Sequence, residues 1–290
     1  NIYNKKPIFF YENKYSYNQI KNIFIKKNID IIPILNSANK IIDILDIKKF
    51  FYSDKKTFKQ KINLPVLIMA GGKGNRMEPF TKVLPKALIP INGKPIIEKI
   101  IENFQRNYVN NFYISINYKS KIIKAFFEEI KKDYKLLFIE EKKPLGTAGS
   151  VKLISSKIKT NLIVSNCDIL LDINYYDFLD FHIKNNFDLS FVASTKEFII
   201  PYGTCVLDNN GGLDYIKEKP KIPLLVNTGF YILNKRVMKL IPENKFFDMT
   251  NLITKIKKKK GKIGVFPISE DSWIDIGQWD EFKKIKDKFQ

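Results

Sequence analysis

Cysteine is scarce in this sequence: Cys167 and Cys205 are the two thiols among 290 residues. They make neither a disulfide framework nor a four-ligand zinc site, and a reducing, cytoplasmic setting is the expectation. Histidine is scarcer still, with His182 alone. No Ser-His-Asp or Cys-His set stands out, which argues against hydrolytic chemistry of that type. His182 falls on a polar helical stretch and reads as a surface residue. No apolar run approaches the ~18–20 residues that a membrane span needs. Residues 1–6 lead into a short strand-like run, not a signal peptide. Gly and Pro, at 13 each, exclude a collagen-like or linker-dominated chain. The chain starts on Asn1 instead of Met, which predicts a piece of a longer protein.

Arginine is the rare cation. Lys+Arg total 50 against 30 Asp+Glu, a formal net charge of +20, yet only Arg76, Arg106 and Arg236 are arginines. Groove readers and phosphate clamps favour the bidentate Arg fork. The lysines are spread along the whole chain, with one dense run from Lys255 to Lys260 that suits a helix C-terminus. The charge therefore reads as a solvated Lys-rich surface, and neither a nucleic acid nor a membrane is the expected partner.

What is present is a change of pattern near residue 64. Residues 7–51 carry a β-α-β-β-α order. Pro7-Ile8-Phe9-Phe10 is a strand, residues 16–24 a helix, Ile31-Ile32-Pro33-Ile34-Leu35 and Ile41-Ile42-Asp43-Ile44-Leu45 two strands, and residues 46–51 a short helix. Residues 53–63 are polar and Lys-rich, a linker composition. Thereafter wholly apolar strands alternate with amphipathic helices: strands at 66–69, 112–116, 136–139, 162–164 and 189–192, helices at 96–104, 122–134, 149–154 and 174–184. This is the pattern of an α/β fold, a Rossmann-like mixed, mainly parallel sheet covered by helices. Residues 203–234 read as mostly strand, an antiparallel flap or edge.

The first strand of the larger region runs straight into Ala70-Gly71-Gly72-Lys73-Gly74-Asn75-Arg76, and Lys86 follows ten residues later. Ligands of open α/β sheets bind beyond the carboxyl ends of strands, where glycines expose backbone N–H groups to phosphates. The spacing matches neither a P-loop nor a third-glycine dinucleotide loop. Pro79 and Pro85 stiffen the path between an Arg fork and a Lys point charge, a combination suited to a triphosphate. Asp168 ends another apolar strand, well placed for a divalent cation beside phosphates.

On the string Gly-Gly-x-Gly-x-Arg-Met-x-Pro-x-Thr-(x)3-Pro-Lys, residues 64–290 resemble the nucleotidyltransferases that make nucleotide-sugars from an NTP and a sugar 1-phosphate. Further stretches stand in the order of that family: Leu145-Gly146-Thr147-Ala148-Gly149, Asn166-Cys167-Asp168, Tyr202-Gly203, Glu218-Lys219-Pro220, Asn227-Thr228-Gly229 and Trp273-Ile274-Asp275-Ile276-Gly277. The resemblance implies that Ala70, Gly71, Gly72 and Gly74 cradle the nucleotide, and that Arg76 and Lys86 neutralise its phosphates. It places Gly146 and Thr147 against the base, where Glu140 and Glu141 can accept from guanine N–H groups. It implies Mg²⁺ on Asp168 and Asp275, the sugar phosphate on Lys219, and the sugar beside Gly203, Glu218, Asn227 and Thr228.

The Leu-Gly-Thr-Ala-Gly form is similar to that of guanylyltransferases. "PILNSANKIIDIL" in residues 1–57 resembles half of a regulatory CBS-type (cystathionine-β-synthase) pair, followed by a linker at 58–63. That fusion resembles the glucosamine-1-phosphate guanylyltransferases of legionaminic acid synthesis. GTP and glucosamine 1-phosphate are the leading partners on this reading, with mannose or heptose 1-phosphate as alternatives. A catalytically inactive CBS-linked nucleotide sensor is the alternative of another class. A homo-oligomer is expected to form through the CBS-type segment or the catalytic domain.

Overall fold

The computed structural model describes residues 7–12, 14–16, 19–20, 23–24, 29, 31–46 and 62–277. Of the helix expected at 46–51, Asp46 ends a strand, and residues 47–51 lie outside the described residues, as does most of the linker. The chain divides into two compact units. The first is Asn1–Asp54, Ala193–Val226 and Pro267–Glu270, and the second is Lys55–Val192, Asn227–Phe266 and Asp271–Gln290.

In chain order the strands are β1 (Phe10–Tyr11), β2 (Ile31–Leu35), β3 (Ile41–Asp46), β4 (Val66–Met69), β5 (Pro90–Ile91), β6 (Lys94–Pro95), β7 (Asn111–Ile116) and β8 (Lys135–Glu140). They continue as β9 (Leu162–Asn166), β10 (Ile169–Leu171), β11 (Leu189–Ile199), β12 (Thr204–Leu207), β13 (Leu213–Lys217), β14 (Lys221–Leu233), β15 (Ile263–Ile268) and β16 (Trp273–Asp275). The helices are α1 (Phe80–Val83), α2 (Ile96–Arg106), α3 (Ser120–Glu129), α4 (Gly146–Ile154), α5 (Tyr175–Lys184) and α6 (Met249–Lys258).

In the first unit β1 runs parallel to β2, and β2 antiparallel to β3. Ile32 is buried with Ile20 and Phe24 in a small cluster. The period of two sends Ile31 to the other side, where it is exposed, and Ile41, Ile42 and Ile44 of β3 are exposed as well. The expected antiparallel flap is present as the β12–β13 hairpin, with Thr204 opposite Lys217. Its turn is held by Asp208, whose Oδ1 accepts from the N–H groups of Asn210 and Gly212, both at 2.8 Å.

The second unit is built on a seven-stranded sheet in the order β15-β11-β14-β9-β4-β7-β8. Strands β11, β14 and β15 contribute residues 189–192, 227–233 and 263–266 of this unit and continue into the other. β9, β4, β7 and β8 are parallel neighbours, and β14 lies antiparallel to β9. Each strand alternates between two cores. Tyr113 and Tyr231 join Ala148, Val151 and Ile154 of α4 and Leu252 and Ile256 of α6. Their neighbours Phe112 and Phe230 meet Phe104 of α2, and Phe230 also meets Tyr175 and Phe178 of α5. Fully burying one such apolar side chain stabilises by roughly 1.5–3 kcal/mol, so both faces of the sheet are tied down. Helix α3 ends earlier than its apolar spacing predicts, because Ile130 is already extended at φ −96°, ψ 141°.

Parallel pairing places the carboxyl ends of β4, β7, β8 and β9 along one edge. The loops that leave them, at residues 70–79, 117–119, 141–145 and 167–168, therefore leave from the same side of the sheet.

Candidate active site

Three of these loops, at 70–79, 141–145 and 167–168, line an open cavity of about 530 Å³, whose wall includes Gly71, Gly72, Lys73, Gly74, Arg76, Lys86, Glu141, Gly146, Thr147 and Asp168. The glycine loop leaves β4 with Ala70 N–H donating to Ser115 O at 2.9 Å. It then runs from Glu141 to Lys86. A Cβ on Gly71 would stand 3.0 Å from Glu141 Oε1, and one on Gly74 would stand 3.1 Å from Lys86 Cβ. Gly74 has φ 72°, a conformation that favours glycine, and its carbonyl accepts from Met77 N–H at 2.8 Å and from the Thr81 hydroxyl at 3.1 Å. Nothing lies within 4 Å of a Cβ on Gly72, so that position faces open space.

The charged centre is assembled by the short β10–β16 pair, in which Ile169 stands opposite Asp275. That register brings Asp275 beside Asp168. Ile276 N–H donates to the Asp168 carbonyl at 2.8 Å, and Gly277 N–H donates to Asp275 Oδ1 at 2.9 Å. Lys86 and Asp168 are both buried, and the Lys86 ammonium donates to Asp168 Oδ2. A Cβ on Gly277 would lie 2.5 Å from Asp168 Oδ2, 2.5 Å from Lys86 Nζ and 2.9 Å from Asp275 Oδ1. Three of the sequence-selected residues thus converge on one point, at the glycine that ends the Trp273–Gly277 stretch.

Among the described residues no group of three or more His, Cys, Asp or Glu side chains could cage a metal ion. Two carboxylates are nonetheless the donor set that Mg²⁺ takes beside phosphate oxygens and water. Asp168 and Asp275 therefore fit that ion, with Lys86 as the cation beside Asp168.

Glu141 and Glu140 part company. Glu140 is on the surface and pairs with Lys124, so it leaves the site. Glu141 lines the cavity, and Leu145 N–H donates to its Oε2 at 3.0 Å. Burial pushes its carboxyl above the usual carboxylate range, against the pull of that N–H and of the Ser115 hydroxyl.

Gly146 and Thr147 line the cavity, but the Thr147 polar groups serve the fold. Its N–H and hydroxyl donate to Asp248 Oδ1 at 3.0 and 3.2 Å, and its oxygen accepts from Met249 N–H at 2.8 Å. Ala148 and Gly149 N–H both donate to Phe247 O at 2.9 Å, so the first turn of α4 is satisfied by the 247–248 segment. Gly146, at φ 78°, admits this close approach: a Cβ would meet Asp248 Oδ1 at 2.8 Å. Cys167 lies in the cavity wall, its thiol raised to about 12 by burial and the neighbouring Asp168, and it is inert as a nucleophile.

The sugar-side residues divide between the units. Asn227 and Thr228 are in the second. The Thr228 hydroxyl is buried and donates to Val192 O at 2.9 Å. Asn227 donates to Tyr231 Oη at 2.8 Å and accepts from Gly229 N–H at 3.0 Å. Gly229, at φ 87°, passes so close to Asn166 that a side chain there would collide with it. Gly203, Glu218 and Lys219 are in the first unit. A Cβ on Gly203 would stand 2.8 Å from Glu218 Oε2, and Lys219 has φ 43°, a left-handed conformation unusual for a lysine.

Sequence reasoning missed Lys73, Ser150, Phe246 and Asp248 in the cavity wall. Lys73 was legible, being inside the glycine loop. Phe246 and Asp248 reach the cavity only through the pairing of their loop with the start of α4. His182 is a correction: it is buried, with Nδ1 at 2.8 Å from Ser190 Oγ, and burial lowers its pKa to about 4. The signal was its place in the apolar register of Tyr175 and Phe178 along α5.

The chain is 29% identical over 225 residues to the bifunctional protein GlmU of Methanococcus aeolicus, which covers 75% of this chain and 52% of that protein. It is 30% identical over 224 residues to the mannose-1-phosphate guanyltransferase of Yarrowia lipolytica, covering 74% of this chain and 61% of the relative. The chain thus spans between about half and three fifths of the length of these relatives. Among solved structures, HddC from Yersinia pseudotuberculosis superposes with a TM-score of 0.62 at 27% identity, covering 78% of this chain and all of that one; it has also been solved in complex with GMP-PN. A model of the Nucleotidyl transferase family matches residues 65–290, which hold the glycine loop and both carboxylates, and the chain belongs to that family.

Proposed function

We propose that the chain transfers a nucleoside monophosphate, GMP from GTP, to a sugar 1-phosphate and releases pyrophosphate. The observation that carries this reading is the convergence of Lys86, Asp168 and Asp275 on Gly277, with Lys86 and Asp168 lining the cavity that the glycine loop shares. A sugar 1-phosphate oxygen attacks the α-phosphorus in line. The new P–O bond forms as the bond to the bridging oxygen breaks, and pyrophosphate leaves with that electron pair. The nucleophile is already an anion at neutral pH, so no general base is needed. The task left to the protein is positioning and charge neutralisation.

The N–H groups of Gly71, Gly72 and Gly74 hold the phosphates, and Arg76 and Lys86 stabilise the charge on the leaving group. Lys219 takes the sugar phosphate, and Gly203, Glu218 and Asn227 take the sugar, by the family resemblance; Thr228, expected there too, is buried with its hydroxyl donated to Val192 O and supports the strand instead. Mg²⁺ held by Asp168 and Asp275 would supply Lewis-acid charge stabilisation at the phosphates. GTP is favoured by Glu141, an acceptor-only group suited to the guanine N1–H and amino group, and by the guanyltransferase name of the Yarrowia lipolytica relative and the GMP-PN complex of HddC.

Glucosamine 1-phosphate is the proposed acceptor, on the resemblance of the whole chain to CBS-fused enzymes of legionaminic acid synthesis. The three described strands β1, β2 and β3, in that order within residues 7–46, are what supports a CBS-type regulatory half there. The test is a matrix of nucleoside triphosphates against sugar 1-phosphates with Mg²⁺, scored by pyrophosphate release. GTP with glucosamine 1-phosphate is expected to give the highest rate. Absence of release in every combination overturns the reading in favour of a nucleotide sensor.

A further inference from the structure

The 245–248 segment contains one side chain that the fold does not use. Phe247 packs against the hydrophobic core formed with α4 and α6. Asp248 caps the start of α4 through Thr147. Between Lys245 and these anchors stands Phe246, which lines the cavity and is 64% exposed. Its backbone is not loose. Phe247 N–H donates to Leu145 O at 2.8 Å, and Phe247 O accepts two N–H groups of α4. On the other side, Lys245 O lies 3.3 Å from where a Gly149 Cβ would be.

What sets Phe246 apart from other exposed apolar side chains is its place: its ring lines the same cavity as Glu141, on a backbone held at both ends, and is free to cover a bound flat group. The cavity wall beside it is formed by Pro144, Leu145, Gly146 and Thr147, close to Glu141. The phosphate-binding cations lie toward the other end of the glycine loop, at Lys86. A flat group bound beside Glu141 lies within the same cavity as the Phe246 ring. We propose that Phe246 is a positioning residue for the nucleobase, stacking on the face of a purine whose edge is met by Glu141. The inference rests on the nucleoside triphosphate reading above. It deepens that reading by dividing the labour: Glu141 reads the base, whereas Phe246 holds any base, because every base has a π-face.

The test measures equilibrium binding of GTP, ATP, UTP and inorganic tripolyphosphate to the full chain, unaltered and as Phe246→Ala and Phe246→Trp. Phe246 is largely exposed, so both variants are expected to fold, which their melting temperatures check. Phe246→Ala is expected to weaken GTP binding by about 5- to 100-fold, the range that base–aromatic stacking carries in alanine substitutions. Every other nucleotide the chain binds weakens in proportion, and Phe246→Trp restores affinity. Tripolyphosphate, which has no base, binds all three proteins equally. In turnover assays the loss appears in KM for the nucleotide, with kcat nearly unchanged.

Unchanged GTP affinity in Phe246→Ala overturns the inference alone. A parallel loss of tripolyphosphate binding also overturns it, since the ring would then be supporting the loop and not the base. Failure of the unaltered chain to bind any nucleoside triphosphate overturns the functional reading and this inference with it.

Discussion

Gly277→Ala adds one methyl group at the point where Lys86, Asp168 and Asp275 meet. Ordinary contacts of a Cβ begin at about 3.4 Å, so Asp168 Oδ2 and Lys86 Nζ, at 2.5 Å, must each retreat by about 1 Å. Asp275 Oδ1, at 2.9 Å, must give as well. Each atom is the end of a side chain, but Lys86 and Asp168 are buried and paired, so they have little room to move. Breaking a buried pair outright costs about 3–5 kcal/mol. Loosening one with both partners still present costs about half of that. The alanine lowers the entropy of the unfolded chain and returns about 0.4–1 kcal/mol. The net loss is about 0.5–2 kcal/mol, a fall in Tm of about 1–8 °C for a chain of this size. Activity suffers more, because the two carboxylates lose their mutual geometry. A drop in kcat of about 10²-fold is expected, the usual effect of displacing a charge stabiliser. Thermal unfolding and pyrophosphate release on the same preparation check both numbers. Normal kcat and Tm in Gly277→Ala would refute the claim that these three side chains form one working cluster.

Gly72→Ala makes the complementary case. Its Cβ meets no protein atom, so Tm is expected to hold or rise by about 1–4 °C while the methyl intrudes on bound phosphates and raises KM for the nucleotide about tenfold or more; a Tm loss without a KM change contradicts it. Glu141→Gln turns an acceptor-only group into one that also donates, and is expected to weaken GTP about tenfold or more while leaving UTP unaffected. In the unaltered protein GTP affinity should fall on acidification, with a midpoint above the ordinary carboxylate value, because burial raises the Glu141 pKa; equilibrium binding across pH checks both statements.

His182 is buried in its neutral form, with a pKa of about 4 against 6.5 when unfolded. Its contribution to stability is complete above pH 6.5 and is lost as pH falls from there toward 4, up to about 2–3 kcal/mol. Urea unfolding at several pH values should show this slope, and His182→Gln should flatten it.

The glycine loop, Lys86, Asp168 and Asp275 were legible in the sequence because each sits at or beside a strand end, inside a stretch whose residue order is itself a signature. The parallel strands were legible because strands buried on both faces read as continuous apolar runs. Gly277 was not legible as a packing constraint, since only the β10–β16 register reveals what surrounds it. Glu140 and Glu141 were indistinguishable as neighbours until the strand turned one to Lys124 and the other to the cavity. Thr147 looked like a ligand contact, and its hydroxyl instead holds Asp248, a partner 101 residues away. His182 was misassigned because its helix was read as polar, although its buried face follows helical spacing.

The three-residue strand β16 has a consequence for how the site comes into being during synthesis. The glycine loop, Lys86 and Asp168 emerge from the ribosome well before Trp273, Ile274 and Asp275 do. Until β16 pairs with β10, a nascent chain has a phosphate cradle and a single carboxylate, already matched by the Lys86 ammonium. On the proposed reading, catalysis waits for that pairing. A polypeptide cut short ahead of Trp273 lacks Asp275 and, on the same reading, is expected to release no pyrophosphate.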